Sequence, residues 1–123
     1  MIKQAVMQYL LDNISVNRIH YVRAPENEPE PYAVITIVSS PRSDTHEGDD
    51  GLVEARVQID WFALSDTEAE SLFRETQTAI QSFVGVRSTV VVSRCHLDDE
   101  YDNYEPDTNR FHKSMDYLIQ YEE

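Results

Sequence analysis

The chain has few of the residues that usually carry catalysis, disulfide bonds or phosphate binding. Its 123 residues include one cysteine, Cys95, and three glycines. A single cysteine excludes an internal disulfide bond and cannot supply the paired ligands of a structural zinc site. No G-x-x-x-x-G-K loop is present to hold a phosphate, and no G-x-S-x-G motif marks a serine nucleophile. We therefore expect no enzymatic activity, no metal and no other cofactor.

Basic residues are also scarce, because 10 Lys and Arg stand against 23 Asp and Glu, and the net charge is −13. This balance opposes binding to phosphate backbones and to anionic membranes, where Lys and Arg provide the affinity. Three interpretations of the acidity stay open. It keeps the protein in solution, it forms a surface that DNA passes without binding, or it mimics the charge of DNA.

Long apolar runs are absent, so no segment predicts a membrane span, and the first residues lack the pattern of a secretory signal. A lone cysteine suits synthesis in a reducing cytoplasm. The chain is 41% apolar and 10% aromatic, which is typical of a folded protein. Its length predicts one domain over residues 1–123.

The clearest pattern is a strict alternation over residues 52–63, where apolar side chains occupy every second position. The polar positions between them are Glu54, Arg56, Gln58 and Asp60. This period of two predicts a strand with one buried and one solvent-exposed face. Ser65 and Glu68 then form a capping box that predicts the start of a helix. We expect this helix to run to about Phe83, with Gly85 as its stop signal.

Apolar residues at helical spacing predict a first helix from Ile2 to Leu11. Lys113 is expected on the buried face of the last strand, near its edge. The three prolines of residues 24–31 predict an extended connection. Further strands are predicted where β-branched and apolar residues cluster, at residues 18–22, 32–40, 89–97 and 111–121.

Two acidic polar segments lie between the predicted strands, at residues 42–51 and 98–107. Both are predicted as loops, and the first is expected at the tip of a long antiparallel hairpin. The element order predicts an α+β fold, in which an antiparallel or mixed sheet has two helices packed on one face.

The cysteine and the histidines do not predict a metal site or a catalytic base. Cys95 and His96 are adjacent, but neighbours on a strand point to opposite faces, so they are not predicted to share an ion. The other histidines, at positions 20, 46 and 112, are expected at the surface or at strand edges.

An ordered set of segments carries a family resemblance. These segments are RIHY (18–21), PYAV (31–34), RVQIDWFA (56–63), AE (69–70), LDDEYD (97–102), YEP (104–106) and SMDYLIQY (114–121). Together they resemble the phage tail-completion family, the small tail-terminator or tail-to-head joining proteins of siphophages. The resemblance extends over residues 17–121.

This resemblance implies a tail-terminator-like α+β fold without catalysis. It implies a ring of six copies that caps the tail tube, stops tube polymerisation and joins the tail to the head. Such a ring closes when each subunit uses two different faces in a head-to-tail contact. The implied partners are other copies of the chain, the tail tube protein and the head-connector protein, while DNA passes without specific binding. The implied location is the tail or neck of the virion.

Two sets of residues are assembly candidates on this resemblance. The first set, on a projecting or lumen-facing hairpin, is Asp44, Glu47, Asp49 and Asp50. The second set, on a loop that contacts a neighbouring subunit or the head, is Asp98, Asp99, Glu100, Tyr101 and Tyr104. Two other functions stay open: a head-completion or neck connector protein, and an acidic DNA mimic that inhibits a DNA-binding protein.

Overall fold

The computed structural model describes residues 2–39, 42–45, 48–87 and 90–122, with side chains outside residues 39–52. Within these residues, two helices and seven strands follow one another along the chain. They are α1 (Ile2–Asn13), β1 (Ile19–Tyr21), β2 (Tyr32–Ser39), β3 (Arg42–Thr45), β4 (Gly48–Ala63), α2 (Asp66–Ile80), β5 (Gly85–Arg87), β6 (Val90–Glu105) and β7 (Arg110–Glu122).

The strands form one mixed sheet in the order β1-β2-β4-β7-β6-β5, and β3 pairs with the first part of β4. Strands β1 and β2 run parallel, and the other neighbours are antiparallel. The predicted α+β fold is confirmed. Strands β3 and β5 were not predicted, because they are short and their sequences, RSDT and GVR, contain no cluster of apolar residues.

The centre of the sheet is the pair β4 and β7, which stay in register from Leu52 opposite Glu122 to Ala63 opposite Phe111. The predicted alternation in β4 is confirmed on the side that we call the inner face. Its buried side chains there are Val53, Ala55, Val57, Ile59 and Trp61, joined from β7 by Met115, Tyr117, Ile119 and Tyr121. The opposite side is called the outer face.

Both helices cover the inner face, and their apolar side chains form one core with those of the sheet. The predicted stripe of α1 is confirmed by four buried residues, Ile2, Ala5, Val6 and Leu10. Helix α2 buries Ala69, Leu72, Thr76 and Ile80. The Tyr9 hydroxyl donates a hydrogen bond of 2.7 Å to the Ala79 carbonyl, which joins the two helices.

Helix α2 begins as predicted, because the hydroxyl of the N-cap Ser65 accepts a hydrogen bond from the backbone N–H of Glu68. Its end was predicted too late. The C-cap is Gln81, and Phe83 is buried in the turn that follows. Gly85 is not the stop signal; with φ at 123° it opens β5.

Strand β6 contains two β-bulges, one between Val92 and Arg94 and one between Leu97 and Asp99. Each bulge adds a residue and shifts the side-chain alternation by one position. The predicted loop at residues 98–107 is therefore wrong, because β6 continues to Glu105. Asp and Asn are poor strand formers, but pairing with β7 along the whole segment overrides that preference.

Candidate interaction surface

The first candidate set lies on the β3–β4 hairpin. Strand pairing places Asp44 opposite Asp49, and Asp50 follows in β4, while Glu47 lies outside the described residues. The expectation of a hairpin is confirmed, but the predicted loop at residues 42–51 is largely β-structure. Pairing with β4 accounts for the difference, since an isolated polar segment of this composition favours a loop.

The second candidate set lies near the tip of the β6–β7 hairpin, whose turn contains residues 106–109. Tyr101 and Tyr104 remain 48% and 44% exposed. The Tyr104 ring packs 4.9 Å from Phe111, and its hydroxyl donates a hydrogen bond of 2.8 Å to the side chain of Asn109. Exposed tyrosines held in this way suit a protein contact.

The two candidate sets lie at different positions along β4. Asp49 is near its first residue, whereas the second set extends from Asp98, which contacts Arg56 in the middle of β4, to Tyr104 near its end. At about 3.3 Å per residue, the second set begins about 23 Å and ends about 45 Å along the strand from Asp49. The two sets therefore form two separate surfaces.

Lys113 gathers three carboxylates beneath the hairpin tip. Its Nζ lies 3.1 Å from Asp102, 3.2 Å from Glu100 and 3.7 Å from Glu70. It also lies 4.6 Å from the centre of the Phe73 ring. Burial alone would lower the pKa of Lys113, but hydrogen bonds to Asp102 and Glu100 outweigh burial and raise it.

The expected face of Lys113 is correct, but its expected place near an edge is wrong. Strand β7 is interior to the sheet, and Lys113 lies between Trp61 of β4 and Asp102 of β6. The lysine is 5% exposed. Its three carboxylates make this burial tolerable, because a buried cation needs charged partners.

Arg56 holds the acidic residues of the outer face. Its guanidinium lies 2.8 Å from Asp98 and 3.7 Å from Asp116. Burial and the nearby carboxylates of Asp99 and Asp60 raise the pKa of Asp116, although Arg56 opposes this. The outer face therefore concentrates negative charge around one arginine.

Four aromatic rings form a row across the outer face, one from each of β2, β4, β7 and β6. Tyr32 stacks on Phe62 at 5.0 Å, and Phe62 stacks on His112 at 4.4 Å. Tyr101 meets His112 edge-on at 6.3 Å. His112 was expected at the surface or a strand edge, but it lies half-buried on an interior strand, because the register with Phe62 places it there.

Asp60 lies directly behind this row. It was predicted on a solvent-exposed face, yet it is 6% exposed, because neighbouring outer-face side chains cover it. It accepts hydrogen bonds from His112 at 2.7 Å and from Gln58 at 2.9 Å. Burial alone would raise the pKa of Asp60, but these hydrogen bonds lower it below the ordinary value of 3.8.

A cleft of about 870 Å³ opens in front of Asp60. Its wall is the segment of residues 22–30, and its floor includes Val34, Gln58 and Phe62. Arg110 at its rim lies 3.0 Å from Glu105 and bonds the Tyr32 hydroxyl. The cleft is polar; Glu28, Asp60 and Arg110 are paired there, whereas Arg23 and Glu26 on its wall are exposed.

The described part of the chain offers few side chains that are placed for metal binding or nucleophilic catalysis. No group of three or more His, Cys, Asp or Glu side chains there is placed to hold a metal ion. Cys95 packs against the core, and burial raises the pKa of its thiol to about 12. Among the same residues, neither helix has the length and apolar character needed to cross a membrane.

The comparison with known families decides where this fold belongs. A model of the family described as tail completion protein gp17 matches residues 3–122. The chain belongs to this family. Its role therefore lies in phage tail assembly. No curated protein matches the chain.

The fold of this tail completion protein is also found in a solved particle. A chain of the virion of a native gene transfer agent particle superimposes with a TM-score of 0.68. The match covers 99% of this chain and 95% of that chain, at 14% identity. At such low identity the likeness shows the fold alone.

Sequence reasoning missed the residues that organise the surface of this family member. The Asp60–His112 pair and the Lys113 cluster each join side chains that are more than 10 positions apart. No local pattern signals them. The register of β4 with β7, had it been inferred from the two alternations, would have brought Asp60 and His112 to neighbouring positions.

Proposed function

We propose that this protein is a non-enzymatic tail terminator that caps the tail tube as a ring of six copies. The ring stops tube polymerisation and joins the tail to the head. Family membership over residues 3–122 is the observation that carries the proposal. The chain acts in the tail or neck of the virion after synthesis in the host cytoplasm, and its partners are its own copies, the tube protein and the head connector.

Two features of the chain support a structural role. The thiol of Cys95 stays protonated near neutral pH, because its pKa is raised to about 12. A protonated thiol is a poor nucleophile. His112 and Asp60 are engaged in an aromatic row and a hydrogen-bonded pair, which fix the strands of the outer face rather than expose a base.

The distance between the two candidate sets suits a protein with two neighbours along the tail axis. One acidic surface meets the tube or the lumen, and the other, which begins about 23 Å further along β4, meets a subunit or the head. Asp44, Glu47, Asp49 and Asp50 are proposed to face the lumen. Asp98, Asp99, Glu100, Tyr101 and Tyr104 are proposed to contact a neighbouring subunit or the head.

In such a ring, the negative charge of the chain has a function in DNA passage. Six copies at −13 each surround a channel through which DNA passes. Carboxylates repel the phosphate backbone, so DNA slides through without specific binding. Replacing the four lumen candidates with Asn and Gln should then slow DNA ejection, while wild-type ejection after the same change would contradict the channel hypothesis.

Electron microscopy of particles made without this gene tests the main proposal, with the wild-type gene supplied in trans as control. Filled heads beside detached, overlong tails would support a tail terminator. Tails of correct length beside empty or leaking heads would indicate head completion instead. Normal tailed particles would reject both roles and favour the acidic DNA mimic, which predicts a salt-sensitive complex with a basic partner.

A further inference from the structure

The sheet has two open edges that lie on opposite sides of the molecule. In the described residues, β5 pairs with β6 from Val90 to Val92. The flank of residues 93–105 that points away from β7 has no strand partner there. At the other side, β1 pairs with β2 on one flank and forms the end of the sheet. Open edges present unpaired N–H and C=O groups that can pair with another chain.

The same rows of cross-strand partners connect the two edges. One row runs from Ile19 through Ala33, Trp61 and Lys113 to Asp102. A second row, two residues further along each strand, has Tyr21 at one edge and Glu100 at the other. A closed ring repeats its subunits without a rise along the axis, so two edges that join neighbouring copies must lie at the same height.

The strand directions also suit a contact between these edges. Strand β1 runs parallel to β2, and three antiparallel steps lead from β2 through β4 and β7 to β6. Strands β1 and β6 therefore run in opposite directions. A neighbour placed edge to edge brings β1 antiparallel to β6, which is the stronger pairing geometry.

The two edges differ in charge. Residues 93–105 carry five carboxylates. Four of them form ion pairs with Arg56, Lys113 and Arg110 of the same chain, whereas Asp99 is exposed. The other edge carries the exposed Arg23 near the exposed Glu26, and Glu28 there is paired with His20. Asp99 would repel its own copy if two β6 edges met, whereas Arg23 attracts it.

Strand β1 ends in a strained turn that projects an apolar side chain. Val22 has a φ of 67°, which β-branched residues rarely adopt. The N–H of Arg23 donates a hydrogen bond of 2.6 Å to the Tyr21 carbonyl across it, as in a γ-turn. Val22 is 66% exposed. Strained backbone conformations are concentrated at functional sites, so this turn is a candidate contact.

We propose that the β1 edge of one copy, at residues 19–23, docks antiparallel against the open β6 edge of a second copy, at residues 98–102. Val22 and Arg23 then lie beside Asp98 and Asp99, and Tyr101 supplies apolar surface. This contact rests on the ring proposed above and names the two different faces that close it.

Cysteine cross-linking in assembled particles tests the contact. The double variant Val22→Cys with Asp99→Cys, whose positions face each other in this register, is incorporated into tails, oxidised and analysed without reductant. We expect a ladder of covalent multimers of this chain. The two positions cannot bridge within one chain, since they lie about 19 Å apart across four strand spacings. The matched control, Arg74→Cys on exposed α2 with Asp99→Cys, should stay monomeric.

A monomeric double variant present at wild-type level in the particles would overturn the contact. If that variant does not enter particles, charge reversal decides. Arg23→Glu should lower the yield of joined particles about tenfold, and adding Asp99→Arg should restore most of it; absence of rescue overturns the proposal. The gene deletion distinguishes the two hypotheses. If the deletion gives overlong tails but the double-cysteine variant forms no cross-links, the edge contact alone is rejected. If the deletion gives normal tails, the terminator role itself is rejected.

Discussion

Replacing Asp60 with asparagine tests the polar centre of the outer face. The carboxylate is 6% exposed and accepts hydrogen bonds from His112 at 2.7 Å and Gln58 at 2.9 Å. A hydrogen bond to a charged group contributes about 1.5–3 kcal/mol. Asparagine keeps one acceptor but turns an NH2 group toward the other donor, and relief of the buried charge offsets part of the loss. We expect Asp60→Asn to lower the free energy of unfolding by about 2 kcal/mol at pH 7.

The pH dependence of this loss follows from the lowered pKa of Asp60. The folded state binds this proton less tightly than the unfolded state. The stabilisation is therefore complete above the ordinary value of 3.8 and is lost as pH falls through the lower folded-state pKa. Urea unfolding of wild type and variant at pH 7 and at pH 2.5 should show the difference shrinking at the lower pH.

Glu54→Gln provides the matched control, because Glu54 is exposed on the same strand and the same face. Its effect should stay within about 0.5 kcal/mol at both pH values. An Asp60→Asn loss that is equal at the two pH values, or no larger than that of Glu54→Gln, would refute the reasoning about the buried carboxylate.

Three further predictions concern the inner face. Lys113→Met leaves its three carboxylates without a cation and should cost about 1–2 kcal/mol, and the loss should shrink in 1 M salt, as thermal unfolding would show. Trp61→Phe removes the donor that bonds Thr76 at 2.8 Å; a double-mutant cycle with Thr76→Val should give a coupling of about 1 kcal/mol, and zero coupling would contradict it. Cys95 should react with a thiol reagent at pH 8 far more slowly in the folded protein than in urea, because its pKa is raised to about 12.

The parts of the fold that were predictable are those whose signals are local. The alternation in β4 and the cap at Ser65 each lie within a few residues, and both are confirmed. The burial of Asp60 is different. Glu54 and Asp60 occupy equivalent positions in the alternation, and they are distinguished by neighbours from β7 that sequence spacing does not reveal.

The acidic part of β6 was missed for a physical reason as well. Asp98, Asp99 and Asp102 have low strand propensity, and two bulges break the alternation that would have overruled it. The candidate surface depends on the same long-range pairing. Lys113 of β7 explains why Glu100 and Asp102 tolerate being side by side, and this explanation requires the β6–β7 register.

The two bulges of β6 define where the strand can lose a residue without rearrangement. Ser93 and Asp98 are the residues that the register with β7 skips. Loss of Asp98 would leave Asp99 opposite Asp116 and Asp102 opposite Lys113, so the residues toward the tip would keep their faces. Loss of a paired residue such as Tyr101 would instead bring Asn103 opposite Lys113 and turn Asp102 to the outer face. Relatives of this chain should therefore carry single-residue gaps in β6 at positions 93 and 98, and a gap elsewhere between positions 99 and 102 should be accompanied by a change at position 113.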